Sequence, residues 1–246
     1  MAVLLERAPD LLRVASYNVH KCVGTDRRRN PERIMDVLRE IDADIIALQE
    51  ADRRFGAREA AIPPSLLDES IWQIVPIADA SPQRTASIGW HGNALLVRRD
   101  AEILTSGVIA LPTLEPRGAI YADIQLGNFA LRVVGMHLDL SGIRRRQQAR
   151  TIISATESRP QNCAAVLMGD LNDWSPYGGV IADFARHFRM PPPARSFHAR
   201  RPVAALDRIM TSPCLHILRS GVHHSILAAK ASDHLPVWAD IAVDAA

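Results

Sequence analysis

The amino-acid sequence predicts an α/β protein in which two packed β-sheets carry helices on their outer sides. Three observations lead to this fold class. Predicted strands outnumber predicted helices, hairpins mix with strand–helix–strand units, and polar residues collect where the strands end. The segment 164–168 is an unbroken apolar run, which is the pattern of a strand covered on both faces.

The first half of the chain begins with a strand–helix–strand unit. A strand at 11–18 ends in polar residues, and a helix follows in which Asn30 is a good N-cap and Pro31 takes the first helical position. A second buried strand at 45–48 runs directly into Gln49-Glu50. The elements expected next are a helix at 62–70, strands at 72–77, 93–98 and 102–109, and a loop at 80–91.

The second half contains a hairpin and the strand that carries the densest group of polar residues. Gly127-Asn128 predicts a turn between a strand at 118–125 and its partner at 129–135, which leads to His137. The basic run 144–146 is either a solvated helix face or an anion contact at a rim. The other expected elements are loops at 112–116 and 190–202, helices at 143–158 and 176–188, and strands at 163–168, 205–211, 220–227 and 235–242.

Composition places the chain among globular proteins with a sizeable core. Of its 246 residues, 48% are hydrophobic and 23% are charged, and the formal net charge is only +2. This balance argues against a strongly basic nucleic-acid-binding surface, although a local patch remains possible. Without repeats, a low-complexity tail or a linker, residues 1–246 are predicted to form a single domain.

The cysteines and the first residues indicate a compartment. Cys22, Cys163 and Cys214 are widely spaced, odd in number and without a CxxC pair, so a reduced intracellular protein is expected. Residues 1–10 lack the long apolar core of a signal peptide, and no apolar run approaches membrane-spanning length. The sequence therefore predicts a cytoplasmic protein.

The stretch 164–173 is the one around which the other polar residues group. Gly169 permits a sharp backbone path after the buried strand, and Asp170 and Asn172 are two residues apart, so in an extended chain they point the same way. By itself this pattern also fits an ordinary Asp/Asn turn. Matching residues elsewhere in the chain favour a functional site.

Eight polar residues at predicted strand ends make up the candidate site. Carboxylates and amides are the hard oxygen ligands that Mg²⁺ or Mn²⁺ prefers, and there is no Cys/His cluster for zinc. Histidines beside carboxylates serve as general bases and stabilise charge near neutral pH. The mixture suits metal-assisted hydrolysis of a phosphate ester. The residues are Asn18, Glu50, His137, Asp170, Asn172, Asp207, Asp233 and His234.

Seven short motifs resemble those of the endonuclease/exonuclease/phosphatase superfamily, which includes DNase I-like nucleases, abasic-site endonucleases, neutral sphingomyelinases and inositol-polyphosphate 5-phosphatases. They occur in the family's order and spacing, from residue 12 onward. The resemblance implies a four-layer α/β sandwich with the site at one edge of two mixed sheets. The motifs are Ser16-Tyr17-Asn18, Leu48-Gln49-Glu50, Gly92-Asn93-Ala94, Met136-His137-Leu138, Gly169-Asp170-Leu171-Asn172, Leu206-Asp207-Arg208-Ile209 and Ser232-Asp233-His234.

The resemblance also implies roles in binding metal and activating water. Glu50, helped by Asn18, would bind the divalent ion, Mg²⁺ or Mn²⁺, with Asp233 near it. Asp170 would orient or deprotonate the attacking water. Asn172 would hold that water or the phosphate.

Further implied roles concern the phosphate. His234, held by Asp207, would contact it and act in acid–base chemistry, so a hydrogen bond between these two side chains is expected. His137 would stabilise the charged oxygens, and Arg117 would bind phosphate. Asn93 would either hydrogen-bond in the site or shape its strand.

The predicted substrate is a phosphate ester. A phosphodiester is favoured, either a lipid head group, another small phosphodiester or a short nucleic acid. A basic, aromatic insertion of the kind that DNA-binding members use is not visible, since aromatic residues are only 5% of the chain. One alternative is a sequence-independent DNA nuclease. The other is a non-catalytic binding module, against which the intact set of site residues argues.

Overall fold

The structure is a computed structural model that describes residues 11–53, 58–77, 87–113, 117–158 and 164–243. The α-helices within these ranges are α1 (Pro31–Ile41), α2 (Pro64–Asp68), α3 (Gly142–Glu157), α4 (Gly179–Phe184) and α5 (Ala228–Ala231), and a short 3₁₀ turn covers His20–Cys22. The strands are β1 (Leu12–Asn18), β2 (Ile45–Gln49), β3 (Trp72–Ile74), β4 (Ala94–Arg98), β5 (Glu102–Ile109), β6 (Gly118–Leu126), β7 (Phe129–His137), β8 (Ala164–Asp170), β9 (Asp207–Thr211), β10 (Leu215–Val222) and β11 (Val237–Val243).

The strands form two mixed sheets. The first has the order β10-β11-β1-β2-β4-β3, and the second has the order β5-β6-β7-β8-β9. β1 and β2 are parallel in the first sheet, and β7 and β8 are parallel in the second. Each parallel pair is joined by a strand–helix–strand crossover through α1 or α3, which packs a helix against the sheet.

Three separate apolar clusters show how the layers are stacked. One lies between α1 and the first sheet, and includes Met35, Leu38 and Leu48. A second lies between the two sheets, and a third lies between the second sheet and the helices α3 and α4. Three cores require four layers, in the order helix, sheet, sheet, helix. The predicted fold class, two packed mixed sheets flanked by helices, is confirmed.

The α1 helix begins as the sequence predicted. The side-chain oxygen of Asn30 accepts a hydrogen bond from the backbone N–H of Arg33 at 2.8 Å, and Pro31 is the first helical residue. Asp42, in a left-handed conformation, ends the helix, so the chain turns at once into β2. This turn orients β2 parallel to β1 and brings the ends of both strands to the same edge of the sheet.

The strand predicted at 220–227 is wrong in position. β10 runs from Leu215 to Val222, because Leu215 and Ile217 alternate into the core between the sheets and pair with β11. The chain then leaves the sheet, and the Ser225 hydroxyl accepts a hydrogen bond from the N–H of Ala228 at 3.0 Å at the start of α5. Irregular chain and a turn therefore occupy residues 223–227 of the predicted strand, and α5 follows them.

Other predicted elements are present but shorter. α4 begins only at Gly179, because the Asp173 carboxylate turns back to accept the Val180 N–H at 2.8 Å. The helix predicted at 62–70 reduces to α2, and the strand predicted at 72–77 reduces to β3. Parts of the predicted segments at 80–91, 112–116 and 163–168 lie outside the described residues, as do residues 1–10.

No helix in the described part of the chain is both long enough and apolar enough to cross a membrane.

A buried carboxylate connects three strands of the first sheet. Asp240 on β11 accepts hydrogen bonds from Arg13 on β1, at 2.7 and 3.1 Å, and its other partner is Arg219 on β10 at 2.7 Å. Burial would raise the pKa of Asp240, but the two guanidinium groups outweigh it and hold this pKa below its ordinary value. The ionised form therefore stabilises the fold.

We predict that Asp240→Asn lowers the free energy of unfolding by about 1–3 kcal/mol at pH 7, because two arginines lose their charged partner. An Asp with a depressed folded pKa stabilises above its unfolded pKa of about 3.9, and this contribution is lost as the pH falls through the folded value. The difference between wild type and variant should therefore shrink below about pH 4. Urea denaturation at several pH values measures it.

The control is Asp36→Asn, which removes an exposed ion pair with Arg39 and should change the unfolding free energy by less than about 0.5 kcal/mol. Equal stabilities of wild type and Asp240→Asn at pH 7 would contradict the prediction.

Candidate active site

The strand ends of the two sheets meet at one edge of the sandwich, and most of the predicted site residues lie there. Asn18 is the last residue of β1, and Glu50 directly follows β2. His137 and Asp170 end β7 and β8 and lie opposite each other in the parallel register. Asp207 begins β9 opposite Asp170, because β8 and β9 are antiparallel. Neighbouring strand ends thus gather residues that are far apart in sequence.

A hydrogen bond between Asn18 and Asp170 links the two sheets inside the site. The Asn18 Nδ2 donates to Asp170 Oδ2 at 3.0 Å, from β1 of the first sheet to β8 of the second. Both side chains are buried, at 2% and 1% exposure. A buried hydrogen bond to a charged group is strong, so it fixes the relative position of the two strand ends.

The Asp170 carboxylate is surrounded by hydrogen-bond partners and histidines. Its Oδ1 accepts the backbone N–H of Asn172 at 2.9 Å, and its Oδ2 lies 3.4 Å from His137 Nε2 and 3.8 Å from His234 Nε2. Burial raises the pKa of Asp170 to about 6, against the opposing effect of the His234 charge and of the hydrogen bonds, and the Asp207 carboxylate adds to the rise. Such a carboxyl group can accept a proton near neutral pH.

His234 and Asp207 form the hydrogen bond that the sequence predicted. The Nδ1–H of His234 donates to Asp207 Oδ2 at 2.8 Å, and the Ser196 hydroxyl donates to the same oxygen at 2.5 Å. Burial lowers the pKa of His234, but the carboxylates of Asp207 and Asp170 outweigh it and raise this pKa to about 10. His234 is therefore protonated at neutral pH, with its Nε2–H on the side of Asp170.

His137 differs from His234 in its charge state. Burial and the neighbouring Arg117 guanidinium lower the pKa of His137 to about 3, so the ring is neutral at neutral pH. Arg117 contacts His137 Nε2 and also donates to the Leu138 carbonyl at 3.0 Å. A guanidinium only donates, so the Nε2 of His137 acts as the acceptor and the positive charge at this corner is that of Arg117.

Glu50 is paired with Lys21. The Lys21 ammonium contacts Glu50 Oε2, and the Lys21 backbone N–H donates to the Glu50 carbonyl at 3.0 Å. The preceding N–H, that of His20, donates to Asn18 Oδ1 at 3.1 Å. Burial would raise the pKa of Glu50, but the Lys21 ammonium beside it favours the ionised form, and this pKa stays below its ordinary value. Glu50 is an ionised carboxylate that holds a cation.

Asp233 lies next to the same turn. Its Oδ1 is 3.7 Å from His20 Nδ1, and the neighbouring Ser232 hydroxyl donates to the Asn18 carbonyl at 2.7 Å. His20 Nδ1 also lies 3.0 Å from the Val23 carbonyl. Asp233 therefore sits beside the His20–Lys21 segment that contacts both Asn18 and Glu50.

Two asparagines from the predicted set use their side-chain amides to fix backbone. Asn172, in a left-handed conformation with φ of 50°, donates from Nδ2 to the Leu138 carbonyl at 3.0 Å. Asn93 is fully buried, and its Nδ2 donates to the Gly118 carbonyl at 3.2 Å, from the first sheet to the start of β6. The Asn93 amide thereby fixes the backbone next to Arg117. Of the two roles the sequence left open for it, this contact matches the structural one.

The basic run at the start of α3 binds other parts of the protein. Arg146 forms two hydrogen bonds with Asp183 of α4, at 2.8 and 3.1 Å, and Arg145 donates to the carbonyls of Asp139 and Leu140. These contacts fasten α3 to α4 and to the loop after β7.

Three residues at the site were missed by the sequence analysis. Ser196 and Phe197 belong to the segment predicted only as a loop, yet Ser196 binds Asp207, and the Phe197 ring lies 4.8 Å from the His234 ring between centroids. Lys21 pairs with Glu50. The sequence does single out Lys21, because it directly follows His20 and is one of only two lysines in the chain.

Two groups of donors at this edge could hold a metal ion. Asp170, Asp207 and His234 each offer an atom within 4.8 Å of the others. In this group, however, His234 and Asp207 are already joined by a hydrogen bond. The Glu50 carboxylate and the Asn18 amide oxygen, which are both contacted by the His20–Lys21 segment, are hard oxygens, and Glu50 already holds the Lys21 ammonium. This second group fits a divalent ion of the Mg²⁺ type better.

The chain was compared with known proteins. The sequence model described as "Endonuclease/Exonuclease/phosphatase family" matches residues 15–234. The uncharacterized protein YbhP of Escherichia coli strain K12 is 29% identical over 93% of this chain and 95% of its own length.

Similar folds occur in solved structures. D. rerio TDP2 in complex with a single-strand DNA product has a TM-score of 0.71 at 16% identity, covering 94% of this chain and 98% of that one. The mannosyl-6-phosphatase of Bacteroides thetaiotaomicron VPI-5482 has a TM-score of 0.70 at 19% identity, covering 94% and 99%. At these identities the likeness concerns the fold alone.

We predict that Gly169→Ala disrupts the strand contact that aligns His137 with Asp170. A Cβ at position 169 would lie 1.9 Å from the Met136 carbonyl oxygen of the neighbouring strand, so β7 and β8 would have to separate there. The free energy of unfolding should fall by about 1–3 kcal/mol, the usual cost of overpacking. Chemical denaturation measures this.

The control is Gly142→Ala at the start of α3, where the nearest atom to the new methyl group is an Arg145 nitrogen at 3.6 Å and stability should not fall. An unchanged unfolding free energy for Gly169→Ala would contradict the prediction.

Proposed function

The chain belongs to the endonuclease/exonuclease/phosphatase family, and on that premise we propose that it is a divalent-metal-dependent phosphodiesterase that uses an activated water. Members of this family are hydrolases that act on phosphate esters. The observation that carries the proposal is the buried Asp170 carboxylate between two histidines. Its Oδ2 lies 3.4 Å from His137 Nε2 and 3.8 Å from His234 Nε2, and burial raises its pKa to about 6.

Asp170 is the group best suited to activate water. Its Oδ1 is held by the Asn172 N–H and its Oδ2 by Asn18, so the carboxylate is fixed in orientation. A base is most effective when its pKa lies close to the working pH, because it is then largely ionised and still basic enough to accept a proton. In this proposal Asp170 takes the proton from the attacking water.

His234 is suited to the phosphate and to the leaving group. Its imidazolium places a positive charge and an Nε2–H near Asp170, and Asp207 with Ser196 keeps the ring in one orientation. A fixed cation aimed at developing negative charge stabilises the transition state without reorganisation. We assign His234 to the phosphate oxygens and to proton donation.

Arg117 supplies the second fixed positive charge. The guanidinium is held by His137 and by the Leu138 carbonyl, and it belongs to the segment that Asn93 fixes. Arginine is matched to phosphate because it is planar and always charged. His137 then acts through Arg117, because its Nε2 accepts from the guanidinium and helps to hold it in place.

Glu50, Asn18 and Asp233 are the residues proposed to hold the metal. All three contact or neighbour the His20–Lys21 segment, and all provide oxygen atoms. The ion, Mg²⁺ or Mn²⁺, would neutralise charge on the phosphate when bound.

We consider two substrate classes. A small phosphodiester, including a lipid head group, is the first. DNA is the second, supported by the similarity to TDP2, whose structure contains a single-strand DNA product. Binding to duplex DNA that weakens steeply with salt would favour the second, because such binding releases counterions.

The function is tested by a screen for hydrolysis with Mg²⁺ or Mn²⁺ on plasmid DNA, abasic DNA, sphingomyelin, inositol phosphates and bis-p-nitrophenyl phosphate. We expect turnover of at least one phosphodiester that chelator abolishes and added metal restores. Glu50→Gln keeps the shape of the side chain but removes its charge, so its activity should collapse at limiting metal. Absence of turnover on every substrate would favour a binding module.

We predict that Asp170→Asn lowers kcat by about 10²–10⁴, with little change in KM, because the variant loses the base and keeps the shape. The assay is a metal titration on the substrate found by the screen. Since the lost group is not assigned to the metal, excess Mn²⁺ should not restore activity.

The matched control is Asp183→Asn, a buried carboxylate paired with Arg146 away from the site, which should retain kcat. Full rescue of Asp170→Asn by metal would make Asp170 a metal ligand and defeat its assignment as base.

A further inference from the structure

The contact between Lys21 and Glu50 points to a role for Lys21 that the proposed mechanism does not use. We propose that the Lys21 ammonium is a tethered cation that occupies the divalent-ion position on Glu50 in the metal-free protein and leaves it when the ion binds. The proposal rests on the assignment of Glu50 as a metal ligand. It is carried by backbone strain, by the charge balance of the site and by the exchangeable character of the pair.

The backbone around Lys21 is held in an unfavourable conformation. His20, Lys21 and Cys22 have φ values of 44°, 56° and 62°, and Glu50 has a φ of 53°. Left-handed conformations cost non-glycine residues roughly 1–2 kcal/mol each, so three in succession need compensation. Strain of this kind persists only where the surrounding structure imposes it, and it clusters at functional sites.

Hydrogen bonds from the surrounding structure impose the turn. The N–H of Lys21 donates to the Glu50 carbonyl at 3.0 Å, that of Val23 to the His20 carbonyl at 2.9 Å, and that of Asn30 to the Cys22 carbonyl at 2.9 Å. The first of these fastens Lys21 directly to the residue that its side chain contacts. The turn therefore delivers the ammonium to the Glu50 carboxylate.

The charge balance explains what the ammonium does there. Asp170 and Asp207 face the protonated His234, whereas the Glu50 carboxylate faces Lys21. A carboxylate at a largely enclosed strand end is costly without a counter-charge. The lysine supplies the positive charge that a metal ion would supply in the proposed active state.

The pair differs from three ion pairs that arginines form with buried carboxylates. Arg13 with Asp240, Arg132 with Asp123 and Arg146 with Asp183 each use two guanidinium nitrogens. Lys21 instead presents a compact charge on a flexible stem, and its side chain is 32% exposed. A single-point contact with a path to solvent can be exchanged for another cation.

Amine accessibility tests the displacement directly, since Lys21 and Lys230 are the only lysines. The full chain is pulse-acetylated with and without MnCl₂, and the two lysines are quantified by peptide mass spectrometry. We expect saturating Mn²⁺ to raise the modification rate of Lys21 at least fivefold and to leave the exposed Lys230 unchanged. In Glu50→Gln, Lys21 should react quickly with or without Mn²⁺.

Metal affinity gives an independent measurement that needs no substrate. Calorimetric titration with MnCl₂ should show roughly tenfold tighter binding to Lys21→Met than to wild type, equivalent to about 1.4 kcal/mol, because the competing cation is gone. Lys230→Met is the matched control and should bind as wild type does. Lys21→Arg, which keeps the charge, should not gain affinity.

The outcomes separate this inference from the proposed function. If Mn²⁺ binds wild type and not Glu50→Gln, while Lys21 stays equally protected, Lys21 is a structural partner and the displacement is refuted. If wild type binds no Mn²⁺ at all, both the displacement and the metal-dependent function fail. The labelling experiment uses wild-type protein, so it decides the matter even if Lys21→Met folds poorly.

Discussion

The hydrogen bond between Asn18 and Asp170 is the contact on which the geometry of the site depends. It is buried, and it joins the end of β1 in one sheet to the end of β8 in the other. Apolar packing between sheets tolerates small shifts, because dispersion contacts are many and non-directional. A directional bond at the rim removes that freedom where the carboxylate proposed to activate water and the proposed metal ligands must keep fixed distances.

Around this bond, three ionised or basic side chains of the site each contact a side chain that can hydrogen-bond or form an ion pair with them. Asp207 faces His234, Glu50 faces Lys21, and His137 faces Arg117. This pairing makes a buried collection of charges compatible with folding. It also gives the two histidines different protonation states at neutral pH. Two histidines in water would have the same pKa and would not differ in this way. The chemistry proposed for the site follows from that difference.

The fold class could be predicted from sequence, and so could the positions of most candidate site residues at strand ends, because both depend on local patterns. A buried apolar run followed by Asp170 and Asn172 identifies a strand end without knowledge of the partner strand. The contribution of Ser196 could not be predicted, since its contact with Asp207 depends on the path of an irregular loop. β10 was misplaced because the run after Ser220 looked as strand-like as the true strand, and only packing against β11 distinguishes them.

Among the strands of the described residues, β1 pairs with the last one, β11, on one side and with β2 on the other. β1 pairs with β11 along most of its length, and His234 lies shortly before β11. Contacts so distant in sequence form late, because closing a long loop costs chain entropy before any contact rewards it. During synthesis on the ribosome, the nascent chain therefore carries β1 with one edge unpaired, and it lacks the proposed proton donor until the segment before β11 has emerged. Under the proposed mechanism, a chain that stops before this segment exposes a strand edge that favours aggregation and has no hydrolase activity.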